Sequence, residues 1–338
     1  MDHEEARRTK LQLVDHARDL VDRAAPVTAR SGGSPSDDAP GPGSVPSLAL
    51  GLAPRGDGRY AIAVRYPLGY PQVRSIARRL AAEIGPGTDV RRTGRVTALR
   101  TGPRPPVVTA QAAGETGRVR PLRPGVSIAH VRVTAGTLGA FVRRVDDPAV
   151  YALSNYHVLV GDPTAQVGDV VVQPGPADGG GAPEDRVGEL ADFAPLAPGT
   201  TATVDAAIAR LDQADVDATY PVGTITSTAV ALGGETVGKS GRTTGVAAGR
   251  VTAIELDDVV VGYGPGLGAL RFDDQIEVES TGAGPFSRGG DSGSLVYRSD
   301  GVALGLLFAG SETGGENGTG LTYVNPIDTV LQALDVSL

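Results

Sequence analysis

The stretch Phe286-Ser287-Arg288-Gly289-Gly290-Asp291-Ser292-Gly293-Ser294-Leu295-Val296 sets one serine among small residues, directly after an aspartate and just ahead of an apolar run of strand character. A serine hydroxyl is a poor nucleophile at neutral pH. It needs an imidazole to take its proton, a carboxylate to orient that imidazole, and backbone N–H groups to receive the oxyanion. Ser292 is a candidate nucleophile to the extent that the chain supplies these parts.

Four histidines are present, His3, His16, His130 and His157. The first two lie in a charged N-terminal stretch and His130 in the alternating run 126–133. His157 follows Tyr151-Ala152-Leu153-Ser154-Asn155-Tyr156, where an apolar strand runs into a small polar turn and leaves the imidazole at the strand end. A structural, hydrogen-bonded histidine suits that place too, but near a Gly-Asp-Ser-Gly-Ser segment a general base is the stronger reading. Among 39 acidic residues, Asp205 stands out in Val204-Asp205-Ala206-Ala207-Ile208-Ala209-Arg210-Leu211, where a charge opens a run that a barrel core buries. An ionised group taken from water needs a partner, and the His157 N–H is the one expected.

The order His157, Asp205, Ser292 separates this chain from subtilisin-type enzymes (Asp, His, Ser) and from α/β-hydrolases (Ser, Asp, His), which also need glycine where Ser294 stands. From about Gly125 to the C-terminus the sequence resembles the chymotrypsin-fold, trypsin-like serine peptidases, and among them the non-secreted bacterial and plant branch that includes the narrow-leaf-type proteins. The resemblance is carried by Arg123-Pro124-Gly125-Val126-Ser127, Gly136-Thr137-Leu138-Gly139, the strand and turn around His157, the run at Asp205, Gly238-Lys239-Ser240-Gly241-Arg242-Thr243-Thr244-Gly245, the segment at Ser292, and Asn325-Pro326-Ile327. It implies Ser292 as nucleophile, His157 as general base and then acid, Asp205 as orienting carboxylate, and the N–H groups of Gly290 and Ser292 as oxyanion hole. It also implies a substrate pocket based on Phe286 and walled by Phe308, Ala309 and Gly310, hence an apolar or small preference. Tyr156 and Val158 depart from the pattern: relatives often have a small or amide residue at the first, and digestive relatives a cysteine at the second. In secreted relatives the counterpart of Asp291 pairs with a new N-terminus; here Arg288 or Arg242 is the expected partner, which points to control by assembly or partner binding.

Gly233-Gly234-Glu235-Thr236-Val237-Gly238-Lys239-Ser240 satisfies a phosphate-loop pattern, but that motif needs a following helix. The glycines and threonines of 241–249 favour a bent strand instead. No cofactor is expected.

With 48 Gly, 25 Pro and 4% aromatic residues, the 338-residue chain suits a β-rich domain plus a smaller unit. It has no cysteine, hence no disulfide framework and no thiol nucleophile. It shows neither an 18-residue apolar stretch nor a signal peptide, so a cytoplasmic protein without a membrane span is expected. Residues 1–132 carry 21 basic and 12 acidic side chains, net +9, and 133–338 carry 10 and 27, net −17. The basic part could face nucleic acid, yet it lacks interleaved aromatics, and docking on the acidic part is preferred; no nucleic-acid partner is expected.

Four regions are expected: an amphipathic N-terminal helix over 1–25, suited to a regulatory protein partner; a disordered linker over 26–46; a small basic βαβ-type unit with a Pro/Gly-rich connector over 47–121; and a trypsin-like protease domain over 122–338. Strands are expected at 60–64 and 89–99 with a helix at 73–84 between them. From Gly125, short apolar runs at 126–133, 138–145, 149–153, 167–172, 204–211, 228–232, 246–256, 274–280, 294–298 and 302–309 point to a mainly β, double-barrel fold. Asn325 is expected to cap a final helix ending near Leu334. The favoured function is a regulated endopeptidase acting on a protein or peptide, with a catalytically silent binding or assembly module as the alternative; a homo-oligomer stays open.

Overall fold

Short apolar runs separated by turn residues satisfy their backbone groups by pairing edge to edge until a sheet closes on itself. The computed structural model, which describes residues 1–24, 47–98, 113–161, 164–264 and 266–338, shows this twice. In the first barrel the start of one run, Gly136–Thr137, pairs with Ser127–His130, and its continuation, Ala140–Arg144, pairs with Asp147–Ser154. Pairing then passes through Ala207–Leu211, Arg186–Phe193 and Val170–Val172 and returns to Ser127–His130, closing six strands. In the second barrel the circuit runs Thr236–Gly241, Gly245–Asp257, Gln275–Ser280, Leu321–Pro326, Val302–Gly310 and Leu295–Arg298, and back to Thr236–Gly241.

The final helix, Ile327–Leu334, buries Ile327, Val330 and Leu334 in a cluster with Val142, Tyr151 and Ile208 of the first barrel. Its cap differs from expectation. Pro326 holds the N-cap position, and Asn325 is a buried strand residue whose side chain is used elsewhere. The expected strand at 228–232 is reduced to Ser227–Thr228, and Arg186–Phe193 and Leu321–Pro326 are strands that the apolar runs did not mark.

Ahead of the barrels, Tyr60–Pro67 and Thr88–Thr93 form a parallel pair joined by the helix Pro71–Ile84. Ala49–Pro54 lies between Tyr60–Pro67 and the far end of Gly245–Asp257, so this sheet continues the longest strand of the second barrel. The linker expected at 26–46 lies outside the described residues, as does most of the Pro/Gly-rich connector. The N-terminal helix His3–Ala24 buries Ala6, Ala17 and Val21 within the chain, while Leu11 remains 59% exposed.

Charge complementarity holds these parts together. Lys10 reaches Asp257 at 2.8 Å, Arg7 reaches Glu255 at 2.9 Å and Arg18 reaches Asp258 at 3.0 Å. Arg91 spans Glu279 and Glu316. At the centre, the fully buried Arg65 makes a forked contact with Glu277 at 2.8 to 3.0 Å and a bond to Asp89 at 2.9 Å. Burial alone would raise the Asp89 carboxyl, but the charges of Arg65 and Arg91 outweigh it and hold it below the ordinary carboxylate range.

Removing one member of such a pair strands a buried charge, so Arg65→Met should cost about 3–5 kcal/mol in urea unfolding at neutral pH. A loss under about 1 kcal/mol would show that the network is solvated and weak. Because the Asp89 pKa is depressed in the folded state, its share of stability is present above the unfolded carboxylate pKa and fades as pH falls through the folded one.

Candidate active site

Two tight turns build the loop at Ser292. The Asp291 N–H donates to the Arg288 carbonyl at 3.0 Å and the Ser294 N–H to the Asp291 carbonyl at 3.0 Å. The third residue of each turn is a glycine at positive φ, Gly290 at 98° and Gly293 at 94°, as a type II turn requires. A side chain at Gly293 would also collide, since a Cβ there would stand 2.1 Å from Ser154 Oγ and 2.2 Å from the Thr137 carbonyl. That close approach joins the two barrels. The Thr137 N–H donates to the Ser292 carbonyl at 2.7 Å, its hydroxyl donates to the Gly290 carbonyl at 2.9 Å, and its carbonyl accepts from Ser154 at 2.7 Å.

Ser154 ends the strand that delivers His157, which sits on the single helical turn Tyr156–Leu159. His157 Nδ1 lies 2.5 Å from Asp205 Oδ2, and the His157 backbone N–H donates to Oδ1 at 3.3 Å. Tyr263 donates its hydroxyl to Asp205 Oδ2 at 2.5 Å, and its ring stands edge-on to the imidazole at 5.9 Å between centroids. Asp205 precedes the strand Ala207–Leu211 and is pinned through its backbone: its N–H donates to Asn325 Oδ1 at 2.9 Å, and its carbonyl accepts from Asn155 at 2.7 Å. An ionised carboxylate only accepts, so this contact selects a proton on Nδ1, and in the neutral ring that tautomer has its lone pair on Nε2. Nε2 is buried without a hydrogen-bond partner among the described residues, and Ser292 Oγ donates to the Phe308 carbonyl at 3.2 Å.

Neither arginine expected to serve Asp291 gives it an ion pair. Lys239 does, at 3.2 Å, with both side chains fully buried. Asp291 also accepts from the N–H groups of Thr243, Thr244 and Arg288 and from the Thr244 hydroxyl. Burial pulls the Lys239 pKa below the ordinary lysine range, and the nearby Asp291 opposes that without cancelling it. Arg242 is engaged by Asp178 of the first barrel instead. The lysine of the phosphate-loop pattern is thus a buried strand residue of Thr236–Gly241, which accounts for the motif without phosphate.

The residues expected to form one pocket fall into two apolar clusters. Phe286, 2% exposed, groups with Val278 and Val296, whereas Phe308 and Ala309 group with Tyr263 and Phe272. The Phe308 ring packs on Phe272 at 4.8 Å, so what it offers the serine is its carbonyl. No cluster of metal-ligating side chains occurs among the described residues, and none of their helices is long and apolar enough to cross a membrane.

The fold is the chymotrypsin-like double β-barrel. No protein-family model and no curated protein matches the chain. Among solved structures it is similar to Thermobifida fusca protease A, at 20% identity over 64% of this chain and 97% of that one, TM-score 0.44. It is similar to the Nocardiopsis protease at 19% identity, over 64% and 98%, TM-score 0.45. A glutamic acid-specific serine protease aligns at 25% identity over 64% and 100%, TM-score 0.43.

Sequence reasoning missed Tyr263, Asn325 and Lys239 as parts of the site. Lys239, one of two lysines in the chain, and Asn325 stand in phrases that carry the resemblance, but nothing local points to their contacts. Lys239→Met leaves Asp291 buried without its cation and should cost about 3–5 kcal/mol in chemical unfolding; an unchanged midpoint would mean that the four remaining donors suffice. Tyr263→Phe keeps the ring and deletes one donor to Asp205, so unfolding free energy should fall by about 1–3 kcal/mol. No change would place that hydroxyl in contact with water in solution.

Proposed function

We propose that the chain is a serine endopeptidase in which Ser292 attacks the peptide carbonyl, His157 takes its proton and Asp205 holds the imidazole. The observation that supports this best is the His157–Asp205 contact, because it leaves the one basic nitrogen of the ring unpartnered on the side away from the carboxylate. Attack transfers the Ser292 hydroxyl proton to Nε2 and forms a tetrahedral adduct, whose oxyanion is received on this reading by the Gly290 and Ser292 N–H groups. Collapse expels the amine, which takes the proton from His157 and leaves an acyl group on Ser292. Water then repeats the sequence and releases the acid.

The turn geometry explains why the loop needs both glycines. Positive φ at Gly290 turns successive peptide units so that N–H groups can converge on one point, and the Lys239–Asp291 pair anchors the loop from beneath. Tyr263 is a positioning residue on this reading, acting through Asp205. A substrate preference for apolar or small residues before the cleaved bond fits the apolar cluster that holds Phe308, next to the serine, and Ala309.

The test is hydrolysis of internally quenched peptides, together with labelling by a fluorophosphonate read by intact mass. Ser292→Ala should remove both signals, and Asp205→Asn should lower kcat by about 10⁴ through the wrong imidazole tautomer. Labelling that persists in Ser292→Ala, or equal turnover in Asp205→Asn, would contradict the assignment.

A further inference from the structure

Pairing along one strand edge brings part of the N-terminal segment up to the serine. The strand Val302–Gly310 pairs on one edge with Leu321–Pro326, with Gly310 opposite Thr322. Its other edge begins with Leu295–Arg298, and the last paired position there is Leu295 opposite Leu306. The Gly293 N–H then bonds the Leu307 carbonyl, and Ser292 Oγ bonds the carbonyl of Phe308. Beyond Phe308 the chain that carried the nucleophile has left this edge. The next two positions are filled from elsewhere, Ala98 opposite Ala309 and Thr97 opposite Gly310, antiparallel.

An extended peptide that binds by adding a strand would use this same edge, since it is the edge that leads to the nucleophile. The chain direction matches as well, because an antiparallel strand passing from Gly310 to Ala309 advances toward Phe308. The segment is held along its length. Thr93 bridges Gly314, the Gly94 N–H donates to the Thr313 carbonyl at 2.9 Å, and the Gly262 N–H donates to the Val96 carbonyl at 3.1 Å. Gly94 lies so close to the rim that a Cβ there would stand 2.5 Å from Thr313 Oγ1. Ala98 is 6% exposed, and the site it borders is closed, with Ser292 at 0% and His157 at 1%.

We propose that residues 93–98 form an autoinhibitory strap that occupies the acyl-side peptide-binding edge at Ala309–Gly310, so that peptide substrates must displace it. This rests on the endopeptidase reading above. It assigns substrates of the protease to extended peptides that compete with the strap, itself held in cis, with a small side chain accepted opposite Ala309. It also gives the N-terminal unit a role, since the strap leaves directly from the strand Thr88–Thr93 that Arg91 ties to Glu279 and Glu316. Gly262, which holds the strap, is followed by Tyr263, which holds Asp205, so strap and triad share one support.

The test uses the full chain, whose lack of cysteine makes an engineered disulfide unambiguous. In Ala98→Cys/Ala309→Cys, oxidation should cut hydrolysis of a quenched peptide to a tenth or less of the reduced form's rate, while Thr97→Pro should lower KM relative to wild type by about tenfold or more, as expected when the competent fraction rises. A synthetic peptide of residues 93–98 should inhibit Thr97→Pro competitively. Diisopropyl fluorophosphate, which needs the serine and histidine but no paired strand, is applied to every form. Equal peptide turnover in the oxidised and reduced forms, with fluorophosphate labelling in both, would overturn the strap and leave the triad standing. Neither labelling nor turnover in any form, Thr97→Pro included, would overturn the endopeptidase reading and the strap with it.

Discussion

Asp205 is a carboxylate without solvent, and the need to satisfy it shapes the molecule around it. A buried charge is tolerated only when donors surround it in good geometry. Here they come from His157, through its ring and its backbone N–H, on the turn after Asp147–Ser154, and from Tyr263 after the strand Val259–Gly262, while Asn155 and the strand residue Asn325 hold the Asp205 backbone. Both barrels must close and meet for these groups to converge. Asn325 in turn donates to Gln275 at 2.6 Å, so a polar chain runs from the Asp205 backbone N–H into the second barrel.

The serine loop solves a different problem with the same means. Two glycine turns in succession leave little side-chain packing to hold the loop, and the compensation is electrostatic, a buried Lys239–Asp291 pair with backbone donors around it. Thr137 then carries the position of that loop across to the first barrel. The chain has two lysines, and both are buried at joints, Lys239 under the Ser292 loop and Lys10 between the N-terminal helix and the strand Gly245–Asp257. The net charges of the two parts, opposite in sign, are resolved in the same way at Arg65 and Arg91.

What could be read in the sequence was local. Ser292 announced itself by its glycines, His157 by the end of an apolar strand, and Asp205 by a charge beside buried positions. The double barrel followed from the spacing of short apolar runs. Arg186–Phe193 escaped because a register shift between Leu190 and Asp192 breaks its alternation, and charged residues sit inside it. The roles of Tyr263 and Asn325 escaped because their contacts with Asp205 span 58 and 120 residues; the Asn325-Pro326-Ile327 phrase reads locally as a helix cap and not as a support for Asp205. The partner of Asp291 was sought among arginines, although Arg242 was needed by Asp178 and a lysine inside a strand was the shorter route. Positions along the chain do not show that Phe286 and Phe308 pack in separate apolar clusters.

In the proposed site Asp205 fixes His157 with its proton on Nδ1 and a lone pair on Nε2. Nitrogen-15 and proton magnetic resonance of the labelled protein near neutral pH tests it directly. A far-downfield proton bonded to His157 Nδ1 is expected, absent in Asp205→Asn, with Nε2 showing the shift of an unprotonated ring nitrogen. A proton on Nε2 instead, or a ring that exchanges between both tautomers, would contradict it.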